Sequence, residues 1–229
     1  MPQSSLPVGN TVQPIAHVDL PQKTDYVGKF ITLSPVDPQT DVAELYACSH
    51  GSDITEQIWT YMSYGPFDNR YSMQNWLEEG AASTDPLFFT VHHHESKQRV
   101  GMVSFLNIAS DMRRLELGHL WYSPTSQRSN VNTEAIYLML HEAFDRLKYR
   151  RVEWKCDSLN ARSRSAALRL GFKFEGIFRQ HLIIKGRNRD TAWYSMLDSE
   201  WTAIKKNMET WLYQNSDRKL SLTALNNSK

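Results

Sequence analysis

Along this chain the spacing of apolar residues changes several times, and each change marks an element. Residues 30–33 read as a short strand. Residues 37–48 read as a helix with Asp41 near its start and Gly51 just past its end. From 51 to 80 the pattern loosens. Trp59, Tyr61, Tyr64, Phe67, Tyr71 and Trp76 stand among turn formers such as Gly65-Pro66 and Asp68-Asn69, with a short helix over 72–79. These aromatics read as packing beneath a long loop, or in part as walls of a substrate pocket. Residues 87–94 and 99–108 are two β-rich runs joined by a polar turn, an antiparallel hairpin. A strand over 114–123 follows. Strict alternation there puts Leu115, Leu117, His119 and Trp121 on one face and Glu116, Gly118, Leu120 and Tyr122 on the other.

The clearest helix spans 132–147, where Ile136, Leu140, Ala143 and Leu147 share one face and Arg146 and Lys148 close the C-terminal end. Residues 151–157 alternate again, with Val152, Trp154 and Cys156 against Arg151, Glu153 and Lys155. A short helix over 160–170 stops at Gly171. Runs at 174–184 and 189–197 form a hairpin around Lys185-Gly186-Arg187-Asn188, and 200–213 is the last helix. Residues 1–25 carry Pro2, Pro7, Pro14 and Pro21 without a period and read as a flexible tail. The Asn- and Ser-rich stretch 215–229 reads as a second tail that frays. The chain is thus one domain over 26–214, of α/β (α+β) class with a mixed sheet.

Composition narrows the function. A chain of 229 residues with 41% hydrophobic and 22% charged residues suits one soluble core. A net charge of +1 argues against nucleic acid as the main partner. Cys48 and Cys156 lack zinc-type spacing and read as reduced thiols. No apolar run reaches membrane-spanning length and no signal-peptide pattern opens the chain, so no membrane partner is expected and the cytoplasm is the default compartment. Of His92, His93 and His94, at most His92 and His94 could share an ion, with no carboxylate or Cys pattern beside them; they read as a polar strand end, and no metal is expected. Arg187, Arg189 and Asp190 read as a surface ion-pair cluster or as the border of an acceptor entrance.

Three stretches carry a resemblance: ELGHLWYSPTSQRSNVNTEA, WKCDSLNARSRSAALRLGFKFEG and GRNRDTAWYSMLDSEW. With the order of elements, they resemble the GNAT superfamily of acyl-CoA-dependent N-acyltransferases, in particular its RimJ/RimL-like branch, over roughly residues 26–201. The middle stretch is the most specific, with Asn160, Ser163 and the Leu170-Gly171-Phe172 triplet at the branch's spacing. The resemblance implies a mostly antiparallel sheet of about six or seven strands flanked by helices. Its fourth and fifth strands (114–123 and 151–157 here) would splay apart around the pantetheine arm of acetyl-CoA. The superfamily loop usually reads Arg/Gln-x-x-Gly-x-Gly/Ala; here Gln127-Arg128-Ser129-Asn130-Val131-Asn132 has Asn at both glycine positions, a residue that tolerates left-handed backbone.

Carried over residue by residue, the resemblance implies that backbone groups of Trp121 and Tyr122 pair with the pantetheine amides. The loop from Gln127 through Arg128, Ser129, Asn130, Val131, Asn132 and Thr133 would cradle the diphosphate at a helix N-terminus, with Arg128 adding charge. Ser163 would protonate the leaving thiolate, or be a plain helix hydroxyl. Asn160 would hold the pantetheine or cap its helix. For the base, Glu116 and His119 both stand as candidates, each with an ion-pair or packed-histidine alternative. The expected activity is acetyl transfer from acetyl-CoA to a primary amine, on a small molecule or a peptide or protein N-terminus, by direct attack in a ternary complex. A non-catalytic acyl-CoA-binding or regulatory protein on the same fold is the alternative, and an interaction scaffold a third. Monomer and homodimer both remain open.

Overall fold

The computed structural model describes residues 6–15, 18–214 and 219–227. Among these residues eight strands form a single sheet in the order β1-β2-β3-β4-β5-β6-β8-β7. They are β1 (Tyr26–Val27), β2 (Ile31–Pro35), β3 (Leu87–His93), β4 (Gln98–Ala109), β5 (Arg114–Tyr122), β6 (Arg151–Asp157), β7 (Lys173–Ile184) and β8 (Arg187–Leu197). Neighbours are antiparallel except β5 and β6, which run parallel. The eighth strand, beyond the six or seven expected, is the two-residue β1, too short to leave a period in the sequence.

The helices are α1 (Pro38–Ser49), α2 (Asp53–Glu56), α3 (Arg70–Ala82), α4 (Asn130–Leu140), α5 (Ala161–Arg169), α6 (Asp198–Glu209) and α7 (Leu222–Asn227). A 3-10 turn at Gln57–Trp59 follows α2, and π-helical turns extend α4 and α6. Asp37 caps α1 by accepting the Gln39 N–H at 3.0 Å, with Pro38 in the first turn where a missing N–H costs nothing. Gly171 closes α5 in the left-handed region, at φ +96°, which a side chain would make strained.

Two cores flank the sheet. On one face α4, α5 and α6 cover Leu115, Leu117, Val152, Trp154, Tyr194 and Met196. On the other, α1, α3 and the 3-10 turn press Trp59, Met73 and Leu77 onto Phe88, Met102 and Trp121. The stretch expected to fray at the C-terminus instead carries α7, whose Leu222 is buried in the main core and whose Asn226 amide donates to the Arg169 carbonyl. Before β1, Val18 packs on the same core and Asp19 and Leu20 reach the Arg146 guanidinium.

Strict alternation along β5 fails at one point. Met102 pairs with Trp121 and Ser104 with Gly118, so a single β4 residue faces two on β5, and His119 takes a left-handed φ of 52°. Before this bulge Leu115 and Leu117 enter the main core; after it Tyr122 does so, while Trp121 belongs to the opposite cluster. His119 and Trp121 therefore do not share the face of Leu115 and Leu117. His119 lies instead on the face that carries Glu116.

Candidate active site

The sheet opens between β5 and β6. Their parallel pairing runs from Arg114↔Arg151 to Leu117↔Trp154 and stops. Beyond that point β5 stays bonded to β4 as far as Tyr122, and β6 to β8 as far as Asp157, so the two strands part with inner backbone edges unpaired. Gly101 on β4 allows the close approach that holds β5 there, since a Cβ would lie 2.2 Å from the Trp121 carbonyl oxygen.

At the open end the chain turns through 123–129 into α4. Ser126 and Gln127 N–H groups donate to the Ser123 carbonyl, Ser129 Oγ donates to the Ser126 carbonyl, and the Gln127 side-chain amide donates to the Tyr122 carbonyl at 3.0 Å. Ser129 caps α4 by accepting the Val131 N–H. The left-handed residue of the turn is Arg128, at φ 60°. Asn130 and Asn132, expected to serve the bends of a glycine loop, are instead right-handed residues of the first helical turn. Neither needs to be glycine, because the left-handed bend falls at Arg128, ahead of both. The first-turn N–H groups of Asn130 and Asn132 point back along the axis, where a helix has no carbonyl to offer them.

Sequence reasoning missed Arg169, the residue just before the Leu170-Gly171-Phe172 triplet. From the end of α5 its guanidinium crosses to α4, donates to Thr133 Oγ1 at 3.0 Å and packs over the Trp211 ring. Burial holds its pKa below the ordinary arginine value. Near it, Tyr122 Oη and Asn132 Oδ1 are buried without a hydrogen-bond partner among the described residues. A free strand edge, a helix N-terminus, two arginines and these orphaned polar atoms fit a ligand with amides and phosphates.

Ser163 sits on the β6 side. Its Oγ accepts the Trp154 indole N–H at 3.0 Å, and its N–H donates to Asn160 Oδ1, which caps α5. Burial raises the neighbouring Cys156 thiol, opposed by a hydrogen bond from Ser163.

Glu116, 6% exposed, accepts from Lys155 Nζ and from Asn107 Nδ2, each at 2.6 Å. Burial raises its pKa, with Lys155 pulling the other way. Lys155, Glu153, Arg114, Asn107, Asp85 and Trp193 line a cavity of about 410 Å³ here. His119 faces Tyr64 instead, its Nδ1 3.3 Å from the phenol oxygen and its ring stacked on Tyr64 and close to Phe88. Burial lowers its pKa to about 4.

The aromatic run before β3 is packing. Trp59, Tyr64, Phe67 and Trp76 join one nest with Trp121, while Tyr71 faces solvent. Two bonds tie this segment to the far side: Lys185 Nζ donates to the Trp59 carbonyl at 2.8 Å and Tyr61 Oη to the Leu159 carbonyl at 3.3 Å. Asp190 accepts from the Gln180 N–H and the Asn188 amide, so the carboxylate of the expected ion-pair cluster braces the hairpin. His94 bonds Thr32 and the Lys29 carbonyl, and His93 bonds Ser96.

Residues 31–173 match the family model for the acetyltransferase (GNAT) domain. The chain belongs to the GNAT acetyltransferase family. A GCN5-related N-acetyltransferase from Brucella melitensis superposes with a TM-score of 0.87 at 38% identity, over 91% of this chain and 96% of that one. A protein described as a probable GNAT acetyltransferase from Chromobacterium violaceum gives 0.78 at 35% identity, over 87% and 100%. A Bacillus subtilis protein named as a ribosomal N-acetyltransferase, YdaF, is 31% identical over 105 residues, 46% of this chain and 57% of its own length. Its name agrees with the RimJ/RimL-like resemblance. GNAT acetyltransferases use acetyl-CoA, and the parted β5 and β6, the turn and the head of α4 are the features of this GNAT domain that fit it.

Proposed function

We propose that this chain transfers an acetyl group from acetyl-CoA to a primary amine, on a small molecule or on a peptide or protein N-terminus, by direct attack. The parting of β5 from β6 beyond Leu117 and Trp154, with α4 starting at its open end, carries the reading. When bound, the coenzyme supplies an acetyl thioester open to attack by an amine. The free edge of β5 offers amides to the pantetheine; Trp121 and Tyr122 lie on that edge, although the Tyr122 carbonyl is held by Gln127. The N–H groups at the head of α4, with Arg128, Ser129 and Arg169 around them, neutralise the phosphates. A pre-placed backbone donor to the developing oxyanion contributes on the order of 3 kcal/mol.

Glu116 takes the proton from the acceptor ammonium. Its carboxylate is held by Lys155 and Asn107, two residues that line the cavity, and its raised pKa moves it toward the range a base needs. His119 is a poor base with its pKa near 4, and it orients Tyr64. Ser163, on the β6 wall, returns a proton to the leaving thiolate. Asn160 caps α5 and so fixes the turn that carries this hydroxyl. The name of the YdaF relative favours a protein amine as acceptor. Two free thiols and the lack, among the described residues, of a helix long and apolar enough to cross a membrane agree with a cytoplasmic setting.

Free thiol release, followed over a panel of amines and peptides, tests the activity. Turnover with at least one acceptor is expected. Saturable acetyl-CoA binding with no turnover on any of them would contradict it and favour the non-catalytic alternative.

A further inference from the structure

Lys155 is the first residue of β6 past the last β5–β6 pair. Trp154 and Cys156 on either side of it enter the main core, so its side chain leaves on the opposite face, where Glu116 lies. There Nζ sits 2.6 Å from Glu116 Oε2, 3.9 Å from Glu153 Oε2 and 4.1 Å from the centroid of Trp193. The side chain is only 15% exposed. A carboxylate beside an aromatic face is what an acceptor subsite would offer an incoming alkylammonium. The chain fills that subsite with an ammonium of its own, at the place where the strands part.

We propose that Lys155 is a self-acetylation site, modified by the acetyl thioester that the same domain binds. This rests on the donor-site reading above. Glu116 accepts one ammonium proton, and the freed Nζ lone pair forms a C–N bond to the thioester carbonyl carbon. The C–S bond breaks, the thiolate takes the second nitrogen proton, and Glu116 returns its own to water. The products are an amide on Lys155, free coenzyme thiol and one released proton. Acetylation removes the positive charge that Glu116 holds, while Glu153 keeps Arg151 and Arg114, so it also damps turnover on external amines.

The full chain incubated with acetyl-CoA and no acceptor, followed by intact mass and peptide mapping, tests this. Lys155 is expected to gain one acetyl group in a reaction first order in protein and faster than at the exposed Lys173. Glu116→Gln is expected to slow it roughly a hundredfold. Lys155→Arg, which keeps the charge and the melting temperature, is expected to lose the mark. Lys155 unmodified, or modified no faster than Lys173, in protein that binds coenzyme A by calorimetry overturns the proposal and leaves the donor site standing. Absence of coenzyme A binding overturns both.

Discussion

His119 and Glu116 share a face of β5, yet their surroundings drive them apart. The imidazole lies among Tyr64 and Phe88 with no charge beside it, and burial takes its pKa from 6.5 to about 4. The unfolded chain binds a proton across that interval that the folded one refuses. Stability tied to His119 is therefore complete above pH 6.5 and lost as the pH falls toward 4, by up to about 3 kcal/mol. Urea unfolding of wild type and His119→Phe between those limits should show the mutant losing less stability on acidification; equal slopes would contradict the assignment. Ser163→Ala should lower kcat by roughly ten- to a hundredfold while the KM for acetyl-CoA stays near wild type. A matching rise in KM would place the hydroxyl in binding instead. Ser163 was legible as a candidate from its place after Asn160 in the motif, and Glu116 as a candidate from its place on β5. The Lys155 contact was not, because it joins side chains on two strands far apart in sequence, and the depressed His119 was not, because it arises from a bulge that no periodicity announces.

Among the elements, α4 is held at two points, and only one was visible from sequence. Its head was marked by the turn-forming run before it. Its second turn carries Glu134, fully buried, which accepts the N–H groups of Lys29, Phe30 and Ile31 and the Tyr213 hydroxyl. Gly28 makes room, since a Cβ there would lie 2.5 Å from the Glu134 carboxyl carbon. One carboxylate thus locks the β1–β2 turn and the π-helical turn after α6 onto α4, the helix proposed to receive the phosphates. Glu134→Ala leaves the buried Ile31 N–H and the part-buried N–H groups of Lys29 and Phe30 without their acceptor and should cost about 3 kcal/mol in denaturant unfolding; a loss under about 1 kcal/mol would show that the lock is not structural. Arg169 ties α5 to α4 in the same way. Arg169→Met should weaken coenzyme A binding roughly tenfold by calorimetry, and an unchanged affinity would remove it from the phosphate site. Long-range partners of this kind, more than thirty residues apart, have no local pattern to betray them.

At the scale of the whole molecule, the order of strands and helices followed from periodicity because each element buries one face. The splaying of β5 and β6 in a mostly antiparallel sheet came through the resemblance, on the residues of the loop and of α5; that the two strands run parallel up to Leu117 and Trp154 is seen in the structure alone. What stayed hidden was the docking of the ends: Val18 and Leu222 look like tail residues until the surface they cover exists. The central claim is that the free β5 edge and the head of α4 together receive the coenzyme. Amide hydrogen exchange with and without coenzyme A tests it most directly. Binding should slow exchange in two separate segments, 118–122 on β5 and 130–133 on α4, with the β1–β2 turn unchanged. Saturating coenzyme that slows neither segment would contradict the account.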